Sequence, residues 1–265
     1  MIFTDQLGRK IQLAKTPKRI ISLVPSQTEL LYDLGLSEEV IGITKFCIHP
    51  EEWFRTKTRV GGTKKLDFKK IKQLQPDLII GNKEENEQSQ IEELCKNYSV
   101  WLSDITTLKD ALNMIVAIGA LVGKNEEATN IKVQIEFLFH QFNNQQSTIT
   151  NKNVAYFIWQ NPFMVVGRDT FINDMLIRCG FINVFATPKL SRYSVVKKEQ
   201  IALTNPDVIL LSTEPFPFKD KHIHEFKSLC PNAKIIIVDG ELFSWYGSRL
   251  LQTPVYFTKL IQSFM

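Results

Sequence analysis

No apolar run in the 265 residues approaches the eighteen or so that a membrane-crossing helix needs; the longest, Met114 to Val122, is broken by Gly119. The chain therefore reads as soluble. It also lacks a dominant charge: 32 basic and 28 acidic residues are interspersed and leave only +4, which excludes the one-sided basic footprint of a nucleic-acid binder. The basic runs at Lys15 to Arg19 and Val196 to Gln200 are short enough to be solvated edges. Cysteine is sparse, and Cys47, Cys95, Cys179 and Cys230 form no CxxC pair, so neither a zinc site nor a redox motif is announced and the thiols read as mostly buried. The opening MIFTDQLGRKIQL has no basic n-region, apolar core and small-residue cleavage site, so the expectation is a cytoplasmic chain or one whose leader has been removed. Nucleophile elbows, P-loops, GxGxxG and HExxH are all missing.

What is present is a chain built around its middle. Asn125 to Gln146 carries Ala128, Ile131, Ile135, Leu138 and Phe142 at spacings of three and four, with Val133, Phe137 and Phe139 widening the stripe. Asn125 is a natural cap, Glu126 and Glu127 suit the helix dipole, and no Gly or Pro interrupts. On either side, strands alternate with helices. Arg19 to Val24 is a β-branched strand, and Ser26 with Glu29 three residues on forms a capping-box pattern for a helix ending at Gly35. Asp67 to Leu74 and Lys197 to Leu203 read as helices, Asp77 to Ile80 and Asp207 to Leu211 as strands, and Ser248 to Ser263 as a closing helix. The halves repeat: IKQLQPDLIIGN (Ile71 to Asn82) matches QIALTNPDVILLS (Gln200 to Ser212). The expected fold is α/β, with two similar parallel-sheet lobes joined by one long backbone helix and a ligand cleft between them. Residues 1–106 form the first lobe, 107–146 the helical segment and 147–265 the second lobe.

Chemistry-bearing residues are few. His140 lies on the central helix and reads as structural, while His222 and His224 read as exposed; a pair without a third ligand is weak evidence for a metal. Cys47 and His49 in FCIHP are the one suggestive pair, a plain loop or a site where His49 ligates a metal carried by a ligand. Aromatic residues stand out more. WQNPF (Trp159 to Phe163) and LFSWYGSR (Leu242 to Arg249) follow strands of the second half, and strand carboxyl ends point into ligand crevices. Trp159, Phe163, Phe243, Trp245 and Tyr246 are candidates for a wall against a large, flat ligand. Arg168, Arg192 and Arg249 are candidate charges for a carboxylate or phosphate. Seven residues after Asp77 comes Glu84, and seven after Asp207 comes Glu214, one carboxylate per lobe for a partner with two-fold symmetry.

Taken in order, DQLGRKIQL, PKRIISLVPSQTELLYDLGL, VIGITKFCIHP, VGGTKKLDFKKIKQLQPDLIIGN, NPFMVVGRDTFINDMLIRCGFINVF and KKEQIALTNPDVILLSTEPFPFK resemble the class III, helical-backbone substrate-binding proteins of ABC importers. The likeness is strongest to the vitamin B12 receptors and related iron-chelate and haem receptors. It covers essentially the whole chain, and the succession carries it rather than any one motif. It implies a non-enzymatic, extracytoplasmic monomer with no intrinsic cofactor, which docks one glutamate per lobe on a dimeric permease served by an ATPase. Glu214 fits the second docking position, and Glu84, Glu85 or Glu87 the first. Phe163, Phe243, Trp245 and Tyr246, with Arg249, fit the ligand wall. His49 and Asn82 stand where the resemblance leads one to expect aromatics. Cobalamin is the implied ligand, with haem bound axially by His49 or a siderophore as alternatives. A cytoplasmic tetrapyrrole carrier or enzyme using Cys47 and His49 is the reading from another class.

Overall fold

The computed structural model describes residues 1–145 and 151–263. They form two compact units. The first comprises Met1–Ile105, Lys109–Phe137 and Trp245–Leu251, and the second Thr106–Leu108, Leu138–Ser244 and Gln252–Met265.

The first unit opens with the antiparallel pair β1 (Ile2–Thr4) and β2 (Lys10–Gln12). Then come β3 (Ile20–Ser22), α1 (Pro25–Asp33), β4 (Val40–Ile43), α2 (Glu51–Thr56), β5 (Thr58–Arg59) and the small hairpin β6 (Gly61–Gly62) and β7 (Lys65–Leu66). After these run α3 (Phe68–Leu74), β8 (Leu78–Asn82), α4 (Gln88–Cys95), β9 (Val100–Ser103) and α5 (Leu108–Val122). The sheet is parallel, in the order β5-β4-β3-β8-β9. β3 and β8 are fully buried, as expected of strands covered on both faces. The Ser26–Glu29 capping box does not form. Pro25, with its preset φ, takes the first helical position, so Val24 is the cap residue and Ser26 lies inside the first turn.

Helix α6 (Asn125–Gln145) begins in the first unit and enters the second at Leu138. At 1.5 Å per residue it is about 32 Å long. Gln146, its expected last residue, and the expected lobe start at 147 lie outside the described residues. Ala128, Ile131, Ile135, Phe139 and Phe142 are buried, but Val133 and Phe137 stand exposed, so the covered stripe is narrower than the spacing implied.

The second unit contains β10 (Asn153–Trp159), β11 (Met164–Val166), α7 (Phe171–Arg178), β12 (Ile182–Asn183), β13 (Tyr193–Val195), α8 (Lys198–Thr204), β14 (Val208–Ser212), α9 (Ile223–Leu229), β15 (Lys234–Val238), α10 (Glu241–Ser244) and α11 (Thr253–Gln262). β10, β14 and β15 are parallel, while β11 and β13 extend the sheet antiparallel at one edge. The single closing helix expected from Ser248 is instead a short 3-10 turn (Ser248–Leu251) followed by α11. Pro254 has no N–H to continue a helix through that point, and it occupies the first turn of α11.

The internal repeat has a physical basis. Gln75 and Asn205 end α3 and α8 in the left-handed conformation, and each is followed by Pro-Asp. The Asp77 carboxylate accepts the N–H groups of Lys18 (2.9 Å) and Arg19 (3.0 Å). The Asp207 carboxylate likewise accepts Asn153 N–H at 2.7 Å. In both units this aspartate ties the strand it precedes to the start of the unit's first parallel strand.

Candidate functional site

After α10 the chain returns to the first unit, where Trp245–Leu251 packs on α1. Gly247 makes the approach possible: a Cβ there would lie 2.5 Å from the carbonyl oxygen of Ser26 and 3.3 Å from Leu30 Cβ. The Arg249 guanidinium forks onto the Glu29 carboxylate, with Nε at 2.9 Å and an Nη at 2.5 Å. Both side chains are nearly enclosed, 11% and 14% exposed. Burial raises the Glu29 pKa above the ordinary carboxylate value, and Arg249 pulls it back only in part. The same guanidinium lies 4.8 Å from the Trp245 ring centroid, a cation–π contact. His49 joins this array, its ring edge-on to Trp245 with centroids 5.5 Å apart. Glu29, Arg249, Trp245 and His49 thus form one continuous charged and aromatic wall.

Tyr246 extends it. Its hydroxyl donates to Glu85 Oε1 at 2.7 Å, and burial together with the Glu85 charge pushes the phenol well above its usual pKa, keeping it a neutral donor. The loop bearing Glu85 is ordered from within. Asn82 Oδ1 accepts the N–H groups of Glu84 (2.8 Å) and Glu85 (3.0 Å), and its Nδ2 donates to Ser103 Oγ (2.9 Å). Asn82, an expected ligand contact, is buried and serves here as the organiser of that loop. Glu84 and Glu85 are half-buried and Glu87 exposed.

The remaining expected residues lie in the second unit. Phe163 is buried in its core against Phe157 and Phe226. Phe243 is fully buried between Tyr156, Tyr256 and Phe257. Trp159 is exposed at 39% and leans on Phe216. Half-buried Glu214 accepts a 2.6 Å hydrogen bond from Ser244 Oγ. Arg168 pairs with its neighbour Asp169. His140 is exposed beside Asn144, and His222 Nδ1 accepts the Lys219 N–H.

Cys47 is fully buried, with Sγ 3.0 Å from Thr28 Oγ1 and 3.2 Å from Thr44 Oγ1. Burial pushes its pKa up to about 11, so it is a neutral thiol, unlike the thiolate a nucleophile needs. Cys179 and Cys230 are also buried, whereas Cys95 is exposed. Among the described residues no group of three or more His, Cys, Asp or Glu side chains is placed to hold a metal ion. The wall in the first unit combines a guanidinium fixed by a carboxylate with a half-buried imidazole, and Trp245 and Tyr246 within it are buried, each 6% exposed. Glu29 was the participant that sequence reasoning passed over, because Ser26-x-x-Glu29 had a ready explanation as a cap.

Residues 20–228 match the model of a family described as periplasmic binding protein. The chain belongs to that family. It is a class III substrate-binding protein of the ABC-importer type, related to the vitamin B12 receptors; the family's role is binding, not catalysis, and its setting is periplasmic or otherwise extracytoplasmic. The enzymatic reading of Cys47 and His49 is thereby set aside. A vitamin B12-binding protein of Photorhabdus laumondii is 25% identical over 252 residues, 95% of this chain and 90% of its own. The solved vitamin B12-binding protein of Vibrio cholerae superposes with a TM-score of 0.80 at 20% identity, covering 94% of this chain and 98% of its own. A haem-binding protein of Pseudomonas aeruginosa also reaches 0.80, at 18% identity with 92% of each chain covered. The fold is common to receptors of both ligands.

Proposed function

We propose that this receptor captures a planar metal chelate of the tetrapyrrole class, cobalamin before haem, and delivers it to a dimeric ABC permease with its ATPase. The observation that carries the reading is the wall of Trp245, Arg249 and His49, with Tyr246 alongside. The His49 imidazole, backed by the largely buried Trp245 indole, supplies flat contact to a ring system, and a guanidinium held by Glu29 supplies a fixed positive charge. The likeness to a B12-binding relative over 95% of the chain favours cobalamin. His49, an imidazole where an aromatic was expected, favours haem as the second reading.

Phe163 and Phe243 are buried in the core of the second unit, and Asn82 supports the wall by ordering the loop of Glu84 and Glu85. Docking on the permease falls to Glu214 and to one of Glu84, Glu85 and Glu87, of which Glu87 is exposed. Spectroscopic titration separates the two ligands. Haem as ligand gives a Soret shift that His49→Ala abolishes; cobalamin as ligand gives saturable binding of cyanocobalamin that survives His49→Ala. Saturation by neither compound refutes the proposal.

A further inference from the structure

The loop after β4 and the β6–β7 hairpin, both in the first unit, line an open groove of about 740 Å3, within the roughly 300–1,000 Å3 usual for small-molecule sites. Its lining is cationic and aromatic. Lys45, Lys64 and Lys65 contribute to it, against one lining carboxylate, Asp67. That carboxylate is already engaged, capping α3 through the Lys70 N–H at 3.1 Å with Lys70 Nζ 3.8 Å away. Phe46 and Phe68, 50% and 37% exposed, supply ring surface to the same groove.

Backbone and side-chain contacts hold the loop and the hairpin together. Lys45 N–H donates to Gly61 O at 2.8 Å, which ties the loop to the hairpin. A Cβ at Gly62 would come within 3.1 Å of Phe46 Cε2 and 3.2 Å of Lys45 Cε, so the bare backbone lets both side chains lie close on the hairpin. Lys45 Nζ stands 5.0 Å from the Phe46 ring centroid. Lys64 Nζ donates to Glu84 O at 2.6 Å, holding that ammonium in place. Three residues beyond Phe46 the same loop presents His49 to Trp245, so one loop serves both the groove and the wall.

We propose that this groove receives an anionic side arm of the transported chelate, a phosphodiester or carboxylate carried at the edge of the ring system. Lysines lining one groove raise its positive potential, and an anionic oxygen entering it forms charge-assisted hydrogen bonds with the ammonium groups it reaches. The exposed rings of Phe46 and Phe68 cover the apolar stem of the arm. This rests on the receptor reading above and adds the charge of the ligand to it.

The test compares wild type with Lys45→Gln/Lys65→Gln, leaving Lys64 to hold the loop. Four ligands are titrated: cyanocobalamin, cobinamide lacking the phosphodiester arm, haemin, and haemin with both carboxylates esterified. The expected result is a loss of about tenfold in affinity for an arm-bearing ligand, from two partly solvated charges at about threefold each. The matching arm-less ligand changes by less than about twofold. A loss confined to cyanocobalamin assigns the phosphodiester, and one confined to haemin assigns the carboxylate. Equal effects on arm-bearing and arm-less ligands, or no effect on any, overturn the groove assignment while the receptor reading stands. Failure of wild type to bind all four overturns the receptor reading and this inference together.

Discussion

Removing Arg249 leaves the Glu29 carboxylate in a nearly enclosed position without the forked guanidinium that now meets it at 2.9 and 2.5 Å. Breaking a buried pair by deleting one partner costs about 3–5 kcal/mol. The residual exposure of 11% and 14% lets water reach the site and brings the expectation to about 2–3 kcal/mol. Loss of the contact with Trp245 adds about 0.5–1 kcal/mol. The sum for Arg249→Ala is about 3 kcal/mol at neutral pH.

Its pH dependence has a definite sign. Burial already holds the Glu29 pKa above its unfolded value, so the folded state binds the extra proton and stability falls as pH rises from the unfolded pKa through the folded one. Without Arg249 the folded pKa rises further, and the deficit grows across that window. Urea unfolding at pH 4.5 and pH 7 measures it: the variant's deficit is larger at pH 7, and Glu29→Gln in the same chain recovers most of the difference. A deficit that is the same at both pH values, or below about 0.5 kcal/mol, refutes the buried-pair account.

Other perturbations follow from the same geometry. Gly247→Ala forces a Cβ toward Ser26 O and Leu30; the expected loss is about 1–3 kcal/mol of stability, read as a lowered Tm, and an unchanged Tm contradicts the close packing. Trp245→Ala weakens chelate binding by about 1–3 kcal/mol in calorimetry; unchanged affinity removes Trp245 from the wall. Glu214→Ala leaves affinity within about twofold (under 0.5 kcal/mol) while abolishing permease-dependent uptake, and a loss of affinity that matches the loss of uptake moves Glu214 to the ligand side. Cys47→Ser leaves chelate binding intact, because the neutral thiol is buried between Thr28 and Thr44; loss of binding by a variant that remains folded contradicts its structural role.

The architecture was legible because two Pro-Asp turns precede two apolar strands, and those aspartates clamp equivalent strand entries in each unit. Short edge elements were not. β11 and β13 span three residues each, too few for a period to show. Helical spacing placed Ile131, Ile135 and Phe142 correctly but says nothing about how wide a stripe the neighbours cover, so Val133 and Phe137 were misassigned. Trp245, Tyr246 and Arg249 could be singled out because aromatic residues and an arginine follow a strand. Nothing in the order of residues showed that Glu29, 220 positions from Arg249, would meet it. Nor could a list of aromatics show that Phe163, Phe243 and Trp245 are all buried, the two phenylalanines in the second unit and Trp245 beside Arg249 and His49 in the first. Asn82 is similar: its partners Glu84, Glu85 and Ser103 become evident only once β8 and β9 are paired.

Capture of a metal chelate is the central claim, and calorimetric titration of the purified chain with cyanocobalamin, haem and a ferric siderophore tests it most directly. The account predicts saturable one-to-one binding of a tetrapyrrole chelate, weakened by Trp245→Ala. A folded protein that releases no heat with any of the three, at concentrations where relatives of this fold are saturated, would contradict it.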